Sequence, residues 1–263
     1  MPRGKSVRLS NGQEWLTQKA AEDHFRGIRD RHPLETPILD QQDHSDLCAL
    51  LERYDAAIVG GPSKIGCGIE HFVTRINEVN GGTSVGFWVV RTDGTDTDFS
   101  FISAVSARAK DADAEFLDAC RETVYEAVAA AKDAHFVAFA NSSGQVRCEV
   151  TDELVTSFGA RLDYAPTDFR DIVWAFRKAA GWEQQIPHGT ISKPQDGQLS
   201  SNFVDIDAMA RFRAFHAENA QMRVISKSAE RSDILATRSA PVRDAIRLDS
   251  ASALARLPIP TGQ

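Results

Sequence analysis

The sequence lacks any long apolar run and contains few cysteines. No stretch approaches the roughly 20 apolar residues of a membrane-spanning helix, and no apolar segment follows Met1–Lys5, so neither a membrane span nor a secretory signal is predicted. The four cysteines, Cys48, Cys67, Cys120 and Cys148, form no C-x-x-C pair. Such scattered cysteines exclude a disulfide framework, disfavour a structural zinc site and suit a reducing compartment. We therefore expect a cytoplasmic protein.

The chain also lacks a net positive charge. The chain has 30 Lys and Arg against 37 Asp and Glu, for a net charge of −7, which argues against a protein that simply coats DNA. Basic residues nevertheless outnumber acidic ones in 3–31 and in 211–247. Two basic ends that converged on one surface would contact phosphates, whereas scattered solvated charges are the alternative. At 263 residues the chain is long enough for two hydrophobic cores.

Two segments stand out in the first half. Lys64–Ile69 reads Lys-Ile-Gly-Cys-Gly-Ile, and its two glycines indicate a turn. Further on, a strand over Ser84–Arg91, a turn at Asp93-Gly94 and a return strand over Thr97–Phe101 predict a hairpin. The hairpin would bring together Arg91, Asp93, Asp98 and Ser100 at one end of a sheet. A hairpin that only completes a core is the alternative interpretation.

These segments resemble the K-I-G-x-G-I and R-x-D-G-x-x-x-D-F-S signatures of the DCL domain (DUF3223-like). The resemblance extends over about residues 5–107, with Trp15–Ile28 similar to the opening helix and Leu47–Leu51 to the second helix. Arg53-Tyr54-Asp55 stands where the family often has a His-Pro pair. The resemblance implies a small mixed sheet with helices. It also implies a nucleic-acid partner, because members occur in organellar RNA-processing proteins, RNA polymerase tails and nuclease-linked bacterial proteins.

The second half has its own pattern. Apolar residues at helical spacing predict a long helix over Ala114–Phe139. Short strands are predicted over Val146–Val150 and Ala160–Tyr164, followed by a helix capped at Thr167 or Asp168. A loop rich in proline, glycine and glutamine then leads to a last amphipathic helix after Asp205.

Strand, strand, helix is the order in this half of the chain, and it contains the segments Cys148–Glu153, Arg161–Pro166, Phe212–His216 and Ser226–Glu230. These segments resemble motifs of bacterial proteins that join a DCL-like domain to an HNH (ββα-metal) nuclease domain, which has the same order of elements. The resemblance implies histidines at the positions of Arg161 and Tyr164 and an asparagine at the position of Glu230. Of the core residues of the HNH pattern, this chain therefore has only Asp163. An HNH enzyme needs a neutral histidine and a divalent metal, and a guanidinium stays protonated. The segment is therefore interpreted as a degenerate nuclease fold without metal, cofactor or catalysis.

We predict an α+β protein with a DCL-like domain over 1–110, a bridging helix over 111–141, a degenerate HNH-like domain over 142–240 and a tail over 241–263. The expected function is non-catalytic DNA binding by a bacterial, nucleoid-associated protein, in its sharper form as a reader of 5-methylcytosine. The alternatives are RNA binding or processing and an active metal-dependent nuclease that uses Asp163 and His188.

Alternation along the strand puts either Phe87 or Trp88 in the core. The expected nucleic-acid-binding residues are Lys64, Trp88, Arg91, Asp93, Asp98, Ser100 and Arg161.

Overall fold

The computed structural model describes residues 5–57, 61–79, 82–108, 110–193, 195–196, 198–229 and 242–248. Contacts between Cα atoms divide the chain into two units. The first is Met1–Glu115 with Lys193–Ser201, and the second is Phe116–Ser192 with Asn202–Gln263. No sequence pattern predicted that Lys193–Ser201 would join the first unit. The predicted tail over 241–263 lies largely outside the described residues.

The first unit contains three helices and two small sheets. In chain order these are β1 (Val7–Arg8), β2 (Glu14–Trp15), α1 (Gln18–Arg31), α2 (Gln41–Ala57), β3 (Ile69–Val79), β4 (Gly82–Arg91), β5 (Asp96–Phe99) and α3 (Phe101–Ser106). β1 pairs with β2, and the second sheet has the order β3-β4-β5. Every strand pair is antiparallel. The α+β class is confirmed, whereas the mixed sheet expected from the resemblance is wrong.

Local signals account for the helices of this unit. Thr17 precedes α1 and its Oγ1 accepts a hydrogen bond from the Ala20 amide at 3.2 Å, which satisfies one of the free N–H groups at the helix start. Arg29 and Arg31 lie in the last turn of α1, where positive charge complements the helix dipole. Helices and sheet bury one apolar cluster, whose largest members are Phe25, Phe72 and Phe87.

The predicted hairpin is present with changed bounds. Trp88 pairs with Asp98, and Val90 pairs with Asp96. The return strand ends at Phe99, so the prediction that it continues to Phe101 is wrong: Ser100 caps α3 and Phe101 is its first residue. The 11-residue strand β3 was not predicted, because three consecutive buried residues interrupt the alternation that marks a half-buried strand.

The second unit contains most of one long helix. Its elements are α4 (Ala112–Phe139, whose first four residues belong to the first unit), β6 (Gln145–Arg147), β7 (Leu154–Thr156), β8 (Ala160–Tyr164), α5 (Phe169–Ala179), α6 (Ile206–Asn219) and β9 (Met222–Ser226). The long helix, the strand over Ala160–Tyr164 and the two later helices agree with the sequence prediction, whereas the strand predicted over Val146–Val150 runs over Gln145–Arg147 and ends before Cys148. Asp168 caps α5 by accepting a hydrogen bond from the Arg170 amide at 2.8 Å.

Strand pairing in this unit differs from a simple ββα order. β6 pairs with β7, and β8 pairs with β9, each pair being antiparallel. The two predicted strands therefore pair with two strands that no sequence pattern indicated, rather than with each other. β9 is short and buried at all five positions, so it carries no alternation. No described helix is both long enough and apolar enough to cross a bilayer.

Candidate functional site

The two signature segments of the first unit are joined by the side chain of Arg91, the last residue of β4. Its guanidinium donates hydrogen bonds to the backbone carbonyls of Lys64, from Nε at 3.1 Å, and of Ser63, from Nη2 at 3.2 Å. Only 5% of Arg91 is exposed. One arginine thus satisfies two carbonyls of the loop before β3, so the loop and the hairpin form one structural unit.

Gly66 is the point of closest approach between the two segments. Its φ is +57°, a left-handed conformation that side chains rarely adopt. A β-carbon placed there would lie 2.7 Å from Arg91 Nε and 2.8 Å from Arg91 Cδ. Glycine is therefore favoured at this position both by the backbone angle and by the guanidinium above it.

Lys64 is also held inside the protein. Its Nζ donates a hydrogen bond to Thr97 Oγ1 at 2.9 Å and lies 3.8 Å from Asp98 Oδ1. Its backbone amide donates to Asp55 Oδ1 at 2.9 Å, and the whole residue is 8% exposed. Both predicted cations, Lys64 and Arg91, are thus buried rather than extended into solvent. A contact with nucleic acid through them stays a prediction.

Two other predicted residues shape the backbone locally. Asp93 closes the hairpin turn, because its Oδ1 accepts hydrogen bonds from the Thr95 hydroxyl at 2.7 Å and the Thr95 amide at 3.0 Å. The hydroxyl and then the amide of Thr95 lower the pKa of Asp93 to about 2. Ser100 Oγ accepts from the Ser103 amide at 3.2 Å and begins α3. Each therefore has a local structural role, and a ligand contact by either one remains a prediction.

A cleft of about 150 Å³ lies beside this junction and is lined by three of the predicted residues, Lys64, Asp98 and Ser100. Asp98 Oδ1 is buried and has no hydrogen-bond partner among the described residues. Burial raises the pKa of Asp98, an effect that the nearby Lys64 ammonium opposes. Tyr54 also lines the cleft, and burial raises its pKa to about 12. The cleft thus combines a lysine, a carboxyl group and a phenol, and burial raises the pKa of both acidic groups.

A residue that sequence reasoning missed completes the cluster. Asp196, in the part of the chain that returns to the first unit, places Oδ2 2.9 Å from Arg91 Nη2 and Oδ1 3.8 Å from Lys64 Nζ. One carboxylate thus bridges the cations of the two signature segments. No motif or periodicity marks Asp196, because the contact joins residues about a hundred positions apart in a loop rich in proline and glutamine.

The outer face of the sheet carries Trp88. Phe87 is fully buried, so the expected division of the two aromatic residues between core and surface is confirmed, with Trp88 half-buried. The indole Nε1 donates a hydrogen bond to Asn77 Oδ1 at 2.9 Å, and the Arg75 guanidinium lies over the ring at 4.9 Å. These two contacts fix the orientation of the ring.

The remaining predicted residue, Arg161, lies in the second unit. It is an exposed residue of β8, opposite Ile225 of β9. Two residues further along β8, Asp163 Oδ2 accepts a hydrogen bond from Arg223 Nε at 3.0 Å, and the two side chains form a buried ion pair. Its carboxylate is thereby engaged by a cation, which disfavours the alternative of a nuclease built on Asp163. Glu230, the third position compared with the HNH pattern, lies outside the described residues.

The neighbouring Tyr164 contacts a buried histidine. Its hydroxyl is hydrogen-bonded to His216 Nε2 at 3.0 Å. Burial lowers the pKa of His216 to about 4 and raises the pKa of Tyr164 beyond its usual range. Within the part of the chain that the structure describes, no group of three or more His, Cys, Asp or Glu side chains is arranged to hold a metal ion.

Comparison with known proteins gives a partial identification. Residues 27–105 match a family model described as "Protein of unknown function (DUF3223)". A solution NMR structure of an uncharacterized protein from Rhodospirillum rubrum is 25% identical, with 40% of this chain and 91% of that chain covered and a TM-score of 0.32. No curated protein matches. Residues 27–105, which contain both signature segments, therefore match the DUF3223 family model, and this match supports the DCL-like domain predicted from the sequence.

Proposed function

We propose that this protein binds nucleic acid without cutting it, with DNA as the preferred partner and 5-methylcytosine as the preferred modification. The observation that carries the proposal is the pair of buried cations, Lys64 and Arg91, bridged by one carboxylate from Asp196. Burying a cation is costly unless an anion compensates it. A site of this kind favours anionic oxygens, and the anionic oxygens of nucleic acid are those of its phosphates.

The position of Trp88 supports the same proposal. Trp88 is the cross-strand partner of Asp98, whose carboxyl lies 3.8 Å from Lys64 Nζ. Directly opposed residues of an antiparallel pair have Cβ atoms roughly 5 Å apart. A ring on which a base could stack therefore lies next to the cluster that would receive a phosphate. Base–aromatic stacking contributes roughly 1–3 kcal/mol per base.

The preference for a modified base is the finer part of the proposal. A methyl group on cytosine C5 projects into the major groove, where an apolar or aromatic surface can contact it. Alternatively the base is flipped out and stacked on an aromatic side chain. Of the four aromatic residues on or beside the hairpin, Phe87, Phe99 and Phe101 are buried, which leaves Trp88 to supply such a surface.

The proposal is tested by gel shifts on single- and double-stranded DNA and RNA, with matched duplexes that differ only in cytosine methylation, at several salt concentrations. We expect the tightest binding to methylated duplex, and we expect the logarithm of the association constant to fall linearly with the logarithm of the salt concentration. Trp88→Ala should weaken binding by about 5- to 150-fold, which corresponds to about 1–3 kcal/mol, and should abolish the effect of methylation.

Trp174→Ala is the matched control. Trp174 is 52% exposed on α5 of the second unit, so its removal deletes an indole without touching the hairpin. Equal affinities for methylated and unmodified duplexes would refute the reader and leave a general nucleic-acid binder. Tighter binding to the RNA probes than to the DNA probes would show that RNA, and not DNA, is the preferred partner. Absence of binding to all probes would refute the proposed function.

A further inference from the structure

We propose that Lys64 and Arg91 form a phosphate site that Asp196 occupies in the unliganded protein, so that a phosphate group binds by displacing the Asp196 carboxylate. The inference rests on the proposed function, because it names the group that competes with nucleic acid at that site. It assigns Asp196, which lies outside the DUF3223 match at 27–105, an inhibitory role over that domain.

The charges of the cluster give the first argument. Lys64 and Arg91 contribute two cations, and the carboxyl groups nearest to them belong to Asp98 and Asp196. Burial disfavours the ionised form of Asp98 and raises its pKa. Asp98 also contacts Lys64 alone, at 3.8 Å, whereas Asp196 contacts both cations. Removal of Asp196 therefore leaves Arg91 without the carboxylate that contacts it and leaves Lys64 with Asp98 alone, so the buried positive charge is less well compensated until another anion binds.

The exposures of the partners give the second argument. The cations are fixed, since the side chains of Lys64 and Arg91 are 10% and 7% exposed and hydrogen-bond to Thr97 and to two backbone carbonyls. The Asp196 side chain is 36% exposed and is therefore more accessible to solvent than either cation. Asp196 is accordingly the member of the cluster that an incoming anion can replace without loss of the hydrogen bonds that hold the loop to the hairpin.

The cleft gives the third argument. Lys64 is one of the residues that line it. The segment that contains Asp196 also contributes to the lining, through Gln195 and Gln198. A phosphate with several acceptor oxygens can accept from both cations at once, as Asp196 does, and its charge-assisted hydrogen bonds are of the strong kind.

The test compares wild type with Asp196→Asn, which removes the charge and keeps the shape. Inorganic phosphate is titrated while the thermal midpoint is followed, and DNA affinity is measured in parallel. We expect Asp196→Asn to reach half-saturation at about fivefold lower phosphate and to bind DNA about fivefold more tightly, as expected for loss of an ion pair of about 1 kcal/mol. Asp196→Glu, which retains the competing charge, should behave like wild type.

Asp133→Asn on α4 is the control for a general change in net charge, because Asp133 is exposed and lies in the second unit. Identical phosphate and DNA affinities in wild type and Asp196→Asn would overturn the inference, as would an equal gain in Asp196→Glu or Asp133→Asn. A gain for phosphate alone, with no binding of nucleic acid by either protein, would support the anion site and refute the proposed function.

A measurement on the unaltered protein makes the test independent of how the variants fold. Hydrogen exchange of wild type is compared with and without saturating phosphate. Displacement of Asp196 predicts faster amide exchange in a peptide spanning Gln195–Ser201 and slower exchange in one spanning Ser63–Gly66. Slower exchange in both peptides would show that phosphate binds with Asp196 in place and would overturn the inference.

Discussion

The guanidinium of Arg91 lies directly over Gly66, so that a β-carbon on Gly66 would be 2.7 Å from Arg91 Nε. This relationship connects the two signature segments of this chain. The glycine provides the space through which the arginine reaches the carbonyls of Ser63 and Lys64, and the arginine in turn holds the loop on the hairpin. The signatures thus describe one packing arrangement, with the cleft beside it.

Substitution of Gly66 by alanine should destabilise the protein more than the same substitution at Gly94. Both glycines have positive φ, +57° and +80°, so each alanine carries a conformational cost of about 1–2 kcal/mol. At Gly94 no atom lies within 4 Å of the added carbon, whereas at Gly66 the carbon meets Arg91. Overpacking adds roughly 1–3 kcal/mol. Urea denaturation of the two variants measures the difference, and equal losses would show that Arg91 moves aside freely.

Asp163→Asn should cost about 3–5 kcal/mol of folding free energy, the range expected when one partner of a buried ion pair is removed. The variant leaves Arg223, which is 2% exposed, without its compensating charge. Asp152→Asn is the matched control, because Asp152 pairs with Arg147 on the surface, where both side chains are well exposed. Exposed pairs contribute about 0–1 kcal/mol. Similar losses in the two variants, by chemical denaturation, would contradict the proposed role of Asp163.

The purified protein should not cleave DNA in the presence of magnesium, manganese or zinc. The physical reason is that the Asp163 carboxylate is held by Arg223 and the adjacent Tyr164 is hydrogen-bonded to His216. Supercoiled plasmid incubated with each metal gives a sensitive measurement of nicking. Metal-dependent nicking by wild type would instead support the alternative of a rearranged nuclease site.

Stability should decrease as the pH falls from about 6.5 to about 4, in part because of His216. Burial lowers its pKa from 6.5 to about 4, so in this window the unfolded chain binds a proton that the folded protein excludes. The contribution of His216 to the free energy of unfolding is therefore fully present above pH 6.5 and is lost as the pH falls toward the folded pKa. For a pKa shift of this size the contribution is about 3 kcal/mol. Denaturation curves between pH 4 and pH 7.5 measure it.

His216→Gln should flatten that pH dependence. His188→Gln provides the control, because His188 is an exposed residue of a loop in the second unit. A pH profile unchanged in His216→Gln, or flattened equally in His188→Gln, would assign the effect to other groups.

The sequence alone determined the features that depend on neighbouring residues. The turn at Asp93-Gly94, the strand at Ala160–Tyr164 and the helix that Asp168 caps were all predicted, because a turn or cap is made by hydrogen bonds between residues a few positions apart. The long helix was equally clear, since its apolar residues recur at the helical period along its length.

Tertiary structure decided the pairing of strands and the cluster around Arg91. β8 pairs with β9, whose residues lie about 60 positions later in the chain, and Arg91 is bridged to Lys64 by Asp196 about a hundred positions away. Such contacts have no period and no fixed spacing, so nothing in the local pattern distinguishes a buried, paired cation from a solvated one. Only the folded chain shows that Lys64 and Arg91 are buried, because burial depends on which distant segments close over them.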